Sequence, residues 1–173
     1  MTGRQSPRQV QAHAIRLSEV VEALLCSPPG GNVVAVGVDL AEVSEVQRSI
    51  ELFGAQYLDR IFTPGEQAQS AESSDPTPHL AARFAAKEAT IKVLSVEDAI
   101  PPWTSMEVKR EPSGDSTLHL TGTAARFASE NGIDSLLVSL SHENDMAIAV
   151  VVALTNIERV PLNAHVGQQQ MSA

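Results

Sequence analysis

The sequence predicts one domain of mixed helices and strands, and three observations carry that reading. Residues 77–95, TPHLAARFAAKEATIKVLS, are dominated by good helix formers and place Leu80, Phe84, Ile91 and Leu94 at helical spacing. Residues 33–39, VVAVGVD, are a short β-branched run of the kind that lies in a sheet buried on both faces. Residues 103–120 and 134–154 each read as two strands joined by a turn. A chain of 173 residues can bury one modest core and still carry extra segments at its ends.

Taken in order, residues 1–31 read as an extension, helical or partly disordered. Residues 8–25 would put Val10, Ile15, Leu17, Val20, Val21 and Leu24 on one side of an amphipathic helix, and Ser27-Pro28-Pro29-Gly30-Gly31 breaks it. Asp39 ends the first strand, where an acid either caps the following helix (Glu42 to Leu52) or belongs to a site. Gly37 leaves room for a second backbone or a ligand to come close. Thr63, Pro64 and Glu66 match an N-cap, a first-turn proline and a capping-box acid, so Glu66 is read as structural rather than catalytic. A polar loop at 70–78 leads into the long helix, with Thr77 as its N-cap and Pro78 at its first position.

Beyond Pro101-Pro102, the segments Trp103 to Val108 and Ser116 to Leu120 form a strand pair around the turn Pro112-Ser113-Gly114-Asp115, with His119 facing the surface. Residues 122–131 form a short helix. The last hairpin turns at Glu143-Asn144-Asp145; its first strand points Leu136, Val138 and Leu140 one way, Ser139 and Ser141 the other, and closes on His142. Residues 157–173 are a polar tail.

Composition narrows the function classes. A formal charge of −9 argues against a nucleic-acid partner, because such proteins neutralise phosphates with basic surface. Cys26 is the only cysteine, so no internal disulfide forms. No apolar run approaches the roughly 18 residues of a membrane span, and the polar N-terminus lacks a signal-peptide pattern. A soluble, cytoplasmic protein with no membrane partner is expected.

The candidate site starts on the long helix. Glu88 falls on the same stripe as Phe84 and Ile91, where a carboxylate is costly unless cations or donors compensate it. Arg83 and Lys87, and Glu88 and Lys92, are i,i+4 neighbours. Asp39 at a strand end, Glu88, these three cations and the terminal Ser141-His142 together suit Mg²⁺ and a phosphorylated ligand, since Mg²⁺ uses one or two carboxylates and takes its other ligands from water and phosphates. The chain has no Walker-type loop and no GxGxxG motif.

The same residues carry a resemblance. Val36-Gly37-Val38-Asp39-Leu40, Arg60-Ile61-Phe62-Thr63-Pro64-Gly65-Glu66, Arg83-Phe84-Ala85-Ala86-Lys87-Glu88-Ala89 through Lys92, and Val138-Ser139-Leu140-Ser141-His142 resemble, in order and spacing, the holo-acyl-carrier-protein synthases, short 4′-phosphopantetheinyl transferases. The resemblance spans about residues 32–156, which would be the transferase domain. It implies an α+β fold, a small antiparallel sheet packed against a long central helix. It implies transfer of the 4′-phosphopantetheine arm of coenzyme A to a serine of an apo acyl carrier protein or a carrier domain of a fatty-acid or polyketide synthase, with release of adenosine 3′,5′-bisphosphate.

By that resemblance Asp39 and Glu88 are the Mg²⁺ ligands, Lys92 touches the pyrophosphate and assists departure of the bisphosphate, and Arg83, Lys87 and His142 lie around the coenzyme. Glu88 is also the candidate base. Ala41 stands where the longer two-lobed transferases carry a third acid, which favours the short class, a homotrimer with active sites between protomers. The chain departs from the family in reading Val93-Leu94-Ser95-Val96-Glu97 where a glycine-containing turn is common. Because carrier proteins are acidic, docking calls for a local basic patch, with Arg48 and Arg60 as candidates. Two other readings stand beside this one: a Mg²⁺-dependent hydrolase of coenzyme A or a nucleotide, and a non-catalytic homologue with a binding role.

Overall fold

The computed structural model describes residues 31–96 and 100–156. The helix expected over 8–25, Cys26 and the tail lie outside the described residues. Ten elements follow one another: β1 (Gly31–Glu42), α1 (Val43–Phe53), α2 (Ala55–Ile61), α3 (Pro64–Ala71), α4 (Thr77–Val93), β2 (Met106–Arg110), β3 (Ser116–Leu120), α5 (Gly122–Glu130), β4 (Ser135–Glu143) and β5 (Met146–Asn156). The expected α+β architecture is present, with the antiparallel strands divided between a three-stranded sheet, β1-β5-β4, and the hairpin β2-β3. Among the described residues no helix is long and apolar enough to cross a membrane.

Side-chain size decides how α4 meets the larger sheet. Central strand β5 turns Ala147, Ala149, Val151 and Ala153 inward, all fully buried, and the helix answers with Ala81, Ala82, Ala85, Ala86 and Ala89. Two small surfaces let the backbones approach, and Gly37 marks the tightest point. A Cβ there would run into the Ala89 carbonyl and crowd Val93. Leu136, Val138 and Leu140 of β4 stand beside Ala153, Val151 and Ala149 on the same face and pack on the core, as their alternation predicts. Phe84 stacks on Trp103 at 5.4 Å between ring centres and touches both apolar clusters of the molecule.

The structure corrects several local expectations. β1 is not buried on both faces: Val34, Val36, Val38 and Leu40 point outward and are 45–60 % exposed. Asp39 does not cap α1. That helix is held instead by Asp145 in the β4–β5 turn, whose carboxylate accepts from the Ser44 amide at 2.8 Å and the Ser44 hydroxyl at 2.7 Å. Pro76, not Thr77, occupies the cap of α4; Thr77 is already helical and donates its hydroxyl to Gln47 at 2.6 Å. Trp103–Ser105 is a 3-10 turn, and the strand begins only at Met106.

Candidate active site

Helix α4 crosses the inner face of the sheet and separates two groups of polar side chains. The first lies on outer strand β1. In the sheet register Asp39 shares the inner face with Gly37 and Ala41, and α4 brings Lys92 and Glu88 to it from above. The Lys92 ammonium donates to Asp39 Oδ1 at 2.8 Å and to the Val38 carbonyl at 2.7 Å. Glu88 forms no hydrogen bond or ion pair among the described residues. Burial raises its carboxyl above the ordinary range, the Asp39 charge adds to the rise, and Lys92 opposes both. Glu88 thus stands near the Asp39–Lys92 ion pair without joining it.

The second group lies under β4, the other outer strand. Arg83 and His79 are one turn apart on α4, and His142 reaches the same place from β4, with its ring edge-on to His79 at 5.1 Å. Arg83 is only 6 % exposed, yet among the described residues it has no ion pair and its Nε has no acceptor. Its Nη atoms donate to the His79 carbonyl and to Gln69 Oε1, each at 3.2 Å. Gln69 also exchanges hydrogen bonds with the Arg110 backbone at 3.1 Å in both directions, which ties α3 to β2. Arg83, His79, His142 and Arg110 line a cavity of about 770 Å³. A buried, unpaired guanidinium facing a cavity is a costly arrangement that an anion would relieve.

Lys87 departs from its expected place around the coenzyme. It is completely enclosed, and its ammonium is committed to Glu66 Oε2 at 2.7 Å and to the Ile61 and Trp103 carbonyls. Glu66 closes the predicted capping box with Thr63 and also accepts from the Val108 amide at 2.9 Å, so it binds α3, α4 and β2 together. Arg48 and Arg60 are both exposed. Arg48 shares a shallow concavity with Glu42 and Glu45, so the basic patch expected around it is not net basic.

Residues 35–151 match the family model of the 4′-phosphopantetheinyl transferase superfamily. The chain belongs to that superfamily. It is 38 % identical over 122 residues to the holo-[acyl-carrier-protein] synthase of Desulforudis audaxviator, covering 70 % of this chain and 93 % of that one. With the Solibacter usitatus synthase it shares 39 % over 122 residues, 69 % of this chain and 97 % of the relative. Among solved structures, the Chronobacterium ammoniagenes ACPS–CoA complex superposes with a TM-score of 0.61 at 31 % identity, covering 70 % of this chain and 96 % of that one.

The four sequence blocks that resemble this superfamily now have structural meanings. The first two supply Asp39 with the close approach at Gly37, and the Thr63–Glu66 capping box. The other two are α4 and the end of β4 bearing His142. The turn in which the family often carries glycine survives here with Ser95 in the left-handed region, at φ 48°. His79 and Arg110 escaped the sequence reading. Spacing from Arg83 could have flagged His79, because i and i+4 share a helix face, whereas Arg110 is brought in only by the Gln69 bridge.

Proposed function

We infer that the chain transfers the 4′-phosphopantetheine group of coenzyme A to a serine of an apo acyl carrier protein or carrier domain, in fatty-acid or polyketide synthesis, and releases adenosine 3′,5′-bisphosphate. The observation that carries this reading is the pair of unlike half-sites on either side of α4. One is carboxylate-rich and suited to a cation. The other is a cavity around the buried Arg83, which has no ion pair among the described residues.

The donor chemistry of the first half-site fits Mg²⁺: two carboxylates compensated by one ammonium leave negative charge for a hard divalent ion. Asp39 and Glu88 would hold it, and the ion when bound supplies charge neutralisation at the pyrophosphate. Lys92, half exposed and anchored on Asp39, is placed to contact the pyrophosphate and steady the departing bisphosphate. The nucleophile is the carrier's serine, so the chain supplies the base. We assign that role to Glu88, the acid that α4 carries one turn before Lys92. The serine oxygen bonds to the phosphorus on the pantetheine side, and the P–O bond to the adenosine bisphosphate breaks. Arg83 and His142 hold the coenzyme from the second half-site. The buried Lys87 positions α4 without touching ligand.

Two features of the fold support the homotrimer that we propose. The outer sheet face is an apolar ladder in register, Val36–Val152–Leu137 beside Val38–Val150, in which Val36, Val38 and Leu137 are exposed and Val152 is buried. The half-sites lie on opposite outer strands, so a second copy is needed to bring one chain's Asp39, Glu88 and Lys92 to the next chain's Arg83 and His142. Arg60, exposed at the end of α2, and Arg48 are the proposed carrier contacts. Arg60→Glu is expected to weaken carrier binding about tenfold while sparing coenzyme A, checked by parallel titrations.

The deciding experiment is intact-mass spectrometry of apo acyl carrier protein incubated with this protein, coenzyme A and Mg²⁺, beside an EDTA control. Gain of one phosphopantetheinyl group only with metal supports the assignment. Failure with several unrelated carriers, together with no binding of coenzyme A, overturns it. Release of free phosphopantetheine without any carrier would instead identify a hydrolase.

A further inference from the structure

The cavity beneath β4 is built to change its charge with its occupant. His79 faces Arg83 on its own helix, His142 on β4, Arg110 on β2, Asp75 in the turn before α4, Glu72 at the end of α3 and Glu111 after β2. Burial lowers the affinity of its ring for a proton, and His142, Arg83 and Arg110 lower it further, with Asp75 opposing them. Two imidazoles thus stand in edge contact beside a buried guanidinium. An arriving dianion reverses the sign of the field that His79 experiences.

We propose that His79 is a further binding residue of this site, and that it takes up a proton as a phosphomonoester enters the cavity between Arg83 and Arg110. This rests on coenzyme A being the substrate, and it deepens that reading by naming the group captured. The 3′-phosphate is the coenzyme's only phosphomonoester and is dianionic above pH about 6. The step balances as a proton drawn from solvent onto an imidazole nitrogen, with no covalent change in the ligand. Because the complex holds more protons than the free protein, affinity for coenzyme A rises as pH falls, by up to about tenfold per pH unit for one full proton. A ligand lacking the 3′-phosphate should show no such slope.

The test is isothermal titration of the full chain with Mg²⁺, in buffers of different ionisation enthalpy and across pH 6.5 to 8.5. Coenzyme A and 3′-dephospho-coenzyme A are compared for the wild type and His79→Gln. The expected result is proton uptake with coenzyme A alone, lost in His79→Gln together with the pH slope of its affinity, while dephospho-coenzyme A still binds and shows the site to be folded. Equal uptake in wild type and His79→Gln, or uptake with dephospho-coenzyme A, overturns the proposal and leaves the transfer reaction standing. If the wild type binds coenzyme A at no pH, the underlying reading fails instead, and this inference falls with it.

Discussion

Asp39, Glu88 and Lys92 form an unbalanced cluster, and Glu88 bears most of the strain. Burial first, and the Asp39 charge second, hold its carboxyl above the ordinary range. A group whose pKa rises on folding contributes its stability below the unfolded value and loses it as pH climbs through the folded one. The metal-free protein should therefore lose stability as pH rises out of the ordinary carboxylate range. Glu88→Gln removes the repulsion and should raise the metal-free melting temperature by about 2–4 °C, read by differential scanning fluorimetry in EDTA. The same change should cut Mg²⁺-dependent transfer on the order of 10²-fold or more. Such opposite effects are expected when a residue is kept for its chemistry rather than for the fold. This cluster was legible in the sequence because a carboxylate on an apolar helical stripe conflicts with its surroundings, and the conflict is visible without coordinates. Lys87 was not. Its neighbours in sequence are those of a site, but its burial comes from Glu66, Ile61 and Trp103, none of them within fifteen residues.

At the scale of elements, the protein depends on how closely α4 lies on β1 and on what fixes its azimuth. Gly37→Ala would drive a methyl into the Ala89 carbonyl. We expect a loss of about 1–3 kcal/mol in denaturant unfolding, because overpacking against backbone cannot be relieved by a rotamer change. Glu66 joins α3, α4 and β2 through one carboxylate. Glu66→Ala strands a fully buried ammonium and should cost about 3–5 kcal/mol, measured the same way. The capping box itself was readable from Thr63, Pro64 and Glu66 because capping is local. The ion pair was not, because it joins residues on separate helices. The cap of α1 misled for the same reason: its acid, Asp145, arrives from a distant turn, leaving Asp39 free for the site.

At the scale of the whole molecule, the exposed face of β1 conflicts with its own composition. Val34, Val36, Val38 and Leu40 read as an interior strand and stand in solvent in the single chain. Val38→Glu should disperse the proposed trimer into monomers, seen by light scattering after size exclusion, and abolish transfer while each chain remains folded. A trimer that survived this substitution would place the interface elsewhere.

By itself the sequence determined the long helix, most strand and helix positions, the capping box and the acid pair with Lys92, because helical spacing, alternation and capping act over a few residues. It also determined the superfamily, through four blocks in order. Only the tertiary structure decided that Lys87 is buried against Glu66, that His79 and Arg110 join Arg83 and His142 around one cavity, and that Asp39 and His142 lie on opposite outer strands. Those outcomes depend on contacts between distant segments and on the register of three strands, which no local pattern of residues contains.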